Sequence, residues 1–162
     1  MAECIVDRDS SPQFKALRDR WKREYPHVDS DLKKAFDAIE KDFRSAKNAW
    51  RVKAGTSFEV YKYRQNSEDI KRGSAYGWRI VALYDKRRNT LYPILVYPKT
   101  VMDDASDASI ENAIREIRQI LGYCISSECD GAMIPTEPAE VDANGSRKTK
   151  CNICRCVGWS DS

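Results

Sequence analysis

The stretch from Gly77 to Lys99, "GWRIVALYDKRRNTLYPILVYPK", constrains the fold more than any other. Two runs of branched and aromatic residues flank the polar segment "DKRRNT", which reads as a turn. Such residues fit a pleated, half-buried surface, so the pair is expected as an antiparallel hairpin. The alternating run "SFEVYKYR" at 57–64 precedes it across a polar, Gly-containing loop, and a short strand near Arg51 to Lys53 would open the sheet. Pro93 has no amide hydrogen for a strand ladder, so an edge position, a bulge or a late strand start is expected there.

A sheet of this kind needs cover, and the flanking segments have the period to supply it. Phe14, Leu17, Trp21 and Tyr25 recur at helical spacing, with Pro12 in the first turn and Pro26 as the stop. Leu32, Ala35, Phe36, Ile39 and Phe43 form the stripe of a second helix, with Asp29 or Ser30 as its cap. His27 falls in the turn between the two. After the sheet, Ile110, Ala113, Ile114, Ile117 and Leu121 mark a closing helix that ends at Gly122. The expected class is α+β: an N-terminal helical hairpin packed on a twisted, three- to four-stranded antiparallel sheet, then a closing helix. Residues 1–122 are expected as one domain and 123–162 as a small cysteine-bearing extension.

No apolar run approaches a membrane span and the N-terminus lacks a signal-peptide core, so a cytoplasmic protein without membrane contact is expected. The net charge of +3 conceals an uneven distribution. Between Lys41 and Thr100 stand fourteen Lys/Arg against five Asp/Glu. A local surplus of this size focuses field on a polyanion, although a solvated basic surface has the same composition. The cations fall into three groups: Arg51, Lys53, Lys62 and Arg64; Lys71, Arg72 and Arg79; and Lys86, Arg87, Arg88 and Lys99.

Strand alternation puts Lys62 and Arg64 on one face, and Arg79 on one face with Val81 and Leu83. A concave sheet exposing Arg64, Arg79 and Lys99 would hold a phosphate backbone, with Tyr61, Tyr76 or Tyr97 stacking on a base or orienting a ribose. RNA cleavage at such a site needs the 2′-hydroxyl deprotonated, the phosphorane stabilised and the 5′-oxygen protonated. His27 is the only histidine and lies far along the chain, so Lys or Tyr would carry the proton transfers. From these residues alone, a nucleic-acid-binding module fits as well as an enzyme.

The order "VYKYR", Gly-containing loop, "GWRIVALY", turn, "LYPILVYPKT" and "SIENAIREIRQIL" resembles the RelE/HigB-like toxins of bacterial toxin–antitoxin pairs over residues 11–121. Members commonly show a KxR strand, a GxRxxY-like strand and a Y.K element before the closing helix. The resemblance implies a microbial-RNase-like fold, ribosome-dependent mRNA endonuclease activity without a cofactor, and a cognate antitoxin as partner beside ribosome and mRNA. It implies Arg79 as the phosphate contact, Lys62 and Arg64 as the basic residues of the preceding strand, and Lys99 with Tyr97 at the end of the last strand. Arg51, Lys53, Lys71, Arg72, Lys86, Arg87 and Arg88 would bind RNA around that centre. Where several relatives carry Tyr or His after the last strand, "TVMDDASD" offers only acids and small residues. Asp103 or Asp104 would serve as a base, neutralise Lys99 or start the helix. A gyrase-poisoning branch shares the fold without cutting RNA, so a non-cleaving RNA- or protein-binding regulator is the alternative reading.

Five of the six cysteines lie after position 123. Clustered thiols in a cytoplasmic chain point to metal or reactivity more than to disulfides. Cys151 and Cys154 have zinc-site spacing, and Cys124 and Cys129 would complete a four-sulfur structural site, leaving Cys156 spare. A weakly ordered extension and disulfide or redox chemistry are the competing readings. Arg147, Lys148, Lys150 and Arg155 would let a zinc knuckle touch RNA, or would only keep it soluble.

Overall fold

The computed structural model describes residues 3–45, 50–54, 57–73, 75–124, 129, 131–136, 139–152 and 154–160, the side chains of 50, 52–54, 159 and 160 excepted. Two compact units result, residues 1–114 and 115–162, with the division inside a helix. In the first unit, α1 (Pro12–Lys22) starts where Ser11 Oγ accepts from the Phe14 amide at 3.2 Å. It closes before Pro26, with the Tyr25 amide reaching the Trp21 carbonyl at 2.8 Å. Helix α2 (Val28–Lys41) begins at Val28, with His27 as a cap that lends no side-chain bond. This corrects the expected Asp29 or Ser30 cap. The Ser30 hydroxyl donates to the His27 carbonyl at 2.9 Å, and Asp29 sits in the first turn, where a negative charge favours the helix dipole.

The sheet holds β1 (Ile5–Val6), β2 (Trp50–Ala54), β3 (Phe58–Gln65), β4 (Trp78–Asp85) and β5 (Thr90–Pro98), in the order β1-β5-β4-β3-β2. Strands β2 to β5 run antiparallel, but β1 pairs parallel with β5, setting Ile5 against Thr90 and Val6 against Leu91. The sheet is therefore mixed and five-stranded rather than antiparallel with three or four strands. Strand β1 has two residues, too few to carry an alternation signal. It also makes β5 an inner strand. Pro93 is accommodated by a bulge in the β4–β5 register, where Val81 faces Leu95 and Ala82 faces Pro93, leaving Ile94 over.

The helices cover the face that carries Tyr61, Tyr63, Trp78 and Ile80. Trp21 Nε1 donates to the Val96 carbonyl at 3.0 Å, Trp78 Nε1 to Asp31 at 2.9 Å, and the Tyr63 hydroxyl to the Phe43 carbonyl at 2.9 Å. The Phe43 ring lies 4.2 Å from Tyr84 and 5.5 Å from Tyr61, centroid to centroid. Each such side chain removed from water stabilises the fold by roughly 1.5–3 kcal/mol. Every residue of β4 is buried, so the opposite face, with Val81 and Leu83, is covered as well.

Helix α3 (Asp107–Ile120) buries Ile110, Ala113, Ile114 and Ile117, and Gly122 follows it in the left-handed conformation at φ +78°. In the second unit, β6 (Met133–Pro135), β7 (Arg147–Cys151) and β8 (Val157–Ser160) form a three-stranded antiparallel sheet in that order. The polar run "RKTKC" of β7 hides this strand from a reading by hydrophobic alternation. Among the described residues no helix is long and apolar enough to cross a membrane.

Candidate functional site

The register of the first unit brings four of the expected residues onto one sheet face. Arg64 pairs directly with Arg79 across β3 and β4, and Arg79 with Tyr97 across β4 and β5. Lys62, two residues from Arg64, shares that face and sits opposite Val81. The face is not the open concave surface expected. Arg79 is 5% exposed; its Nη2 donates to the Ala75 carbonyl at 2.8 Å and its Nη1 reaches the Trp78 carbonyl at 3.5 Å. Burial first, and the charge of Arg64 second, disfavour its charged form. Lys62 is also buried, Arg64 is exposed, and the Lys99 side chain is half-buried. Tyr61 and Tyr97 are buried, and Tyr76 is the exposed ring of the three tyrosines expected to meet a base.

Asp104 organises this face. Its Oδ1 is ion-paired with Lys62 Nζ and accepts from the Tyr97 hydroxyl at 2.7 Å and from the Ala105 amide at 3.0 Å. The Ala105 amide also donates to the Tyr97 oxygen at 3.1 Å. Burial pushes the Asp104 carboxyl up, but the bonds from Lys62 and Tyr97 and the Lys62 charge outweigh it and hold the group below its ordinary value. Burial, together with the bond to Asp104, raises Tyr97, so its phenol keeps its proton at neutral pH. Lys99 Nζ donates to the Asp103 carboxylate at 2.8 Å and to its carbonyl at 2.7 Å. Of the two acids in "TVMDDASD", Asp103 thus neutralises Lys99 while Asp104 reaches Lys62 and Tyr97. Chain distance hides the second pairing, because Lys62 and Asp104 are 42 residues apart.

The remaining cations lie elsewhere. Arg51 and Lys86, with Arg44, surround the buried carboxylate of Glu59 at 3.3, 3.6 and 3.7 Å respectively. Glu59 also accepts from the Tyr61 hydroxyl at 2.6 Å, and alternation places it on the face opposite Lys62. Arg88 pairs with Asp85 at 2.8 Å, and Arg87 is exposed in the same turn. The Arg72 guanidinium lies 4.1 Å from the Tyr76 ring centre, and Lys71 is exposed. Lys53 lies in β2, but its side chain falls outside the described residues. His27 Nδ1 is 2.7 Å from Asp69, far from the Lys62 face in the chain and bonded away from it.

The second unit gathers the thiols. Sγ atoms of Cys124, Cys129, Cys151 and Cys154 all lie within 4.8 Å of one another, and none of the six cysteines is in a disulfide. Cys124 and Cys154 are 3.5 Å apart, as are Cys129 and Cys151. A tetrahedral zinc with Zn–S bonds of about 2.3 Å places its sulfurs about 3.8 Å apart, so these four can hold one such ion. Four thiolates fill the coordination shell and leave no corner for water, which suits a structural centre. Three residues around the thiols shape the site. The Gly131 amide donates to Cys129 Sγ at 3.4 Å, and a Cβ at Gly131 would meet Cys151 Sγ at 2.4 Å, so a side chain has no room there. Arg118, buried, donates to the Cys129 carbonyl at 2.8 Å. Asn152 joins the two halves: its Oδ1 accepts from the Ala132 amide at 3.0 Å. Ile153, inside the Cys151–Cys154 turn, lies outside the described residues.

No family model, no curated protein and no solved structure matches the chain.

Proposed function

We propose that the chain is a translation-inhibiting endoribonuclease that cuts mRNA on the ribosome. The observation that carries this reading is the row Arg64, Arg79 and Tyr97, in register across three strands with Lys62 beside it. Like charges set directly opposite in a sheet cost free energy. An anion between them relieves that cost, and the donor fork of Arg matches phosphodiester oxygens. In the proposed reaction the ribose 2′-oxygen attacks phosphorus and the bond to the 5′-oxygen breaks. The products are a 2′,3′-cyclic phosphate and a 5′-hydroxyl. Arg79 and Arg64 stabilise charge on the phosphoryl oxygens. Asp104, freed from Lys62, takes the proton from the 2′-hydroxyl, and Lys62, Tyr97 or Lys99, each holding a proton, delivers one to the 5′-oxygen. The substrate phosphate displaces the Asp104 carboxylate from Lys62. A cognate antitoxin covers the basic surface, and the working compartment is the cytoplasm.

Mapping mRNA 5′ ends on programmed ribosomes after brief addition of the protein tests this reading. Arg79→Ala should lose cleavage on the order of a hundredfold or more. Arg64→Ala, at an exposed position, should do so without the folding risk of a buried site. Unchanged cleavage by both variants overturns the assignment. Salt-sensitive RNA binding with no new 5′ ends replaces it with a non-cleaving module.

A further inference from the structure

Five thiols, not four, converge in the second unit. Cys156 Sγ lies 3.0 Å from Cys124 Sγ and 3.1 Å from Cys154 Sγ, and the side chain packs against the buried cluster of Cys124, Cys129 and Cys151. Residues two apart on an extended strand are separated by about 6.6 Å along its axis. Here Arg155 adopts the left-handed conformation at φ 65°, which folds the Cys154–Cys156 segment so that both sulfurs face Cys124. The amide of Cys151 meanwhile donates to the Cys156 carbonyl at 2.9 Å, tying the segment back to β7. A tetrahedral centre has one corner left once Cys124, Cys129 and Cys151 are bound. Cys154 lies within 4.8 Å of all three, and Cys156 stands beside it and beside Cys124. Cys154 is exposed and Cys156 is half-buried.

We infer that Cys154 and Cys156 are interchangeable fourth ligands of a single metal ion, so that the centre is exchangeable rather than locked. Cys124, Cys129 and Cys151 form the permanent triad. As Cys156 enters, its thiol gives up a proton; as Cys154 departs, its thiolate takes one up. The charge on the centre stays constant through the exchange, and no oxidant or reductant is required. The same step run toward an external thiol or chelator gives the metal a way out, through a three-thiolate stage from which either cysteine can return.

The test uses the full chain loaded with zinc, with metal content read by mass spectrometry and affinity by competition with a chromogenic chelator. Cys154→Ser and Cys156→Ser should each retain one zinc per chain, with affinity within about tenfold of the parent. The double variant should lose at least about a hundredfold, beyond what removal of an outer-sphere partner usually costs. Cys129→Ser sets the level for loss of a permanent ligand. Zinc transfer to the chelator should be several times faster in either single variant than in the parent, because one cysteine instead of two is left to return. Loss of zinc by either single variant to the Cys129→Ser level overturns the inference, as does retention of zinc by the double variant. More than one zinc per parent chain, or none, overturns it too.

Discussion

Asp104 shows how one carboxylate can set the state of a basic face. Its Oδ1 meets Lys62 and Tyr97 at once, although its side chain is 63% exposed. Because the folded state holds its pKa below the ordinary 3.8, its contribution to stability is complete above that value and vanishes as pH falls through the depressed one. Asp104→Asn should therefore separate from the parent most widely above pH 4–5, and the two should converge in acid, as urea unfolding across pH 2–7 would measure. A gap that persists at pH 2 would mean that the side chain acts through shape rather than charge. The adjacent Asp103, bonded to Lys99, was legible from the sequence as a local neutraliser; the reach of Asp104 back to β3 was not.

Elements in the first unit are joined by a few polar bonds inside an apolar layer. Asp31 on α2 is 1% exposed and accepts from Trp78 Nε1 at 2.9 Å and from the Glu68 amide at 3.2 Å. It thereby ties the second helix to β4 and to the loop that follows β3. Asp31→Ala strands the buried Trp78 donor and frees the Glu68 amide to water, and a buried donor left unsatisfied costs about 1–3 kcal/mol, so a loss of about 2 kcal/mol in unfolding free energy is expected. Asp31→Asn, which can still accept, should lose less, and equal losses would mean that packing dominates. The apolar stripe of α2 was visible in its period, but Asp31 carries no sign of burial in a stretch that reads "VDSDLKKAF". Strand β1 illustrates the same limit. Two residues gain strand geometry only because β5 offers an unpaired edge at Thr90 and Leu91.

At the scale of the molecule, two compact units differ in what stabilises them. The first has aromatic rings and branched side chains on both faces of its sheet. The second has short strands around a cluster of buried thiols. In a small domain with so little apolar core, an ion held by the four thiols would supply folding energy through its binding energy. Removal of zinc from the zinc-loaded chain with a strong chelator should raise amide hydrogen exchange in β6, β7 and β8, while the protected amides of β3, β4 and β5 keep their rates. Unchanged exchange in β6 to β8 after verified metal loss would show that the three-stranded sheet stands without the ion.

Local patterns were enough to place α1, α2, α3 and strands β3 to β5, because side-chain period and the turn chemistry of Pro, Gly and Asn act over a few residues. They were enough, too, to single out Cys124, Cys129, Cys151 and Cys154 by spacing. Tertiary structure alone decided the register that sets Arg64 against Arg79 and Tyr97, the burial of Arg79 and Lys62, and the arrival of Asp104 at that face. It also decided that Cys156, outside the group of four, lies against Cys124 and Cys154. The reason is physical: these contacts depend on which distant segments share a face, and that is set by how the whole chain buries its apolar surface.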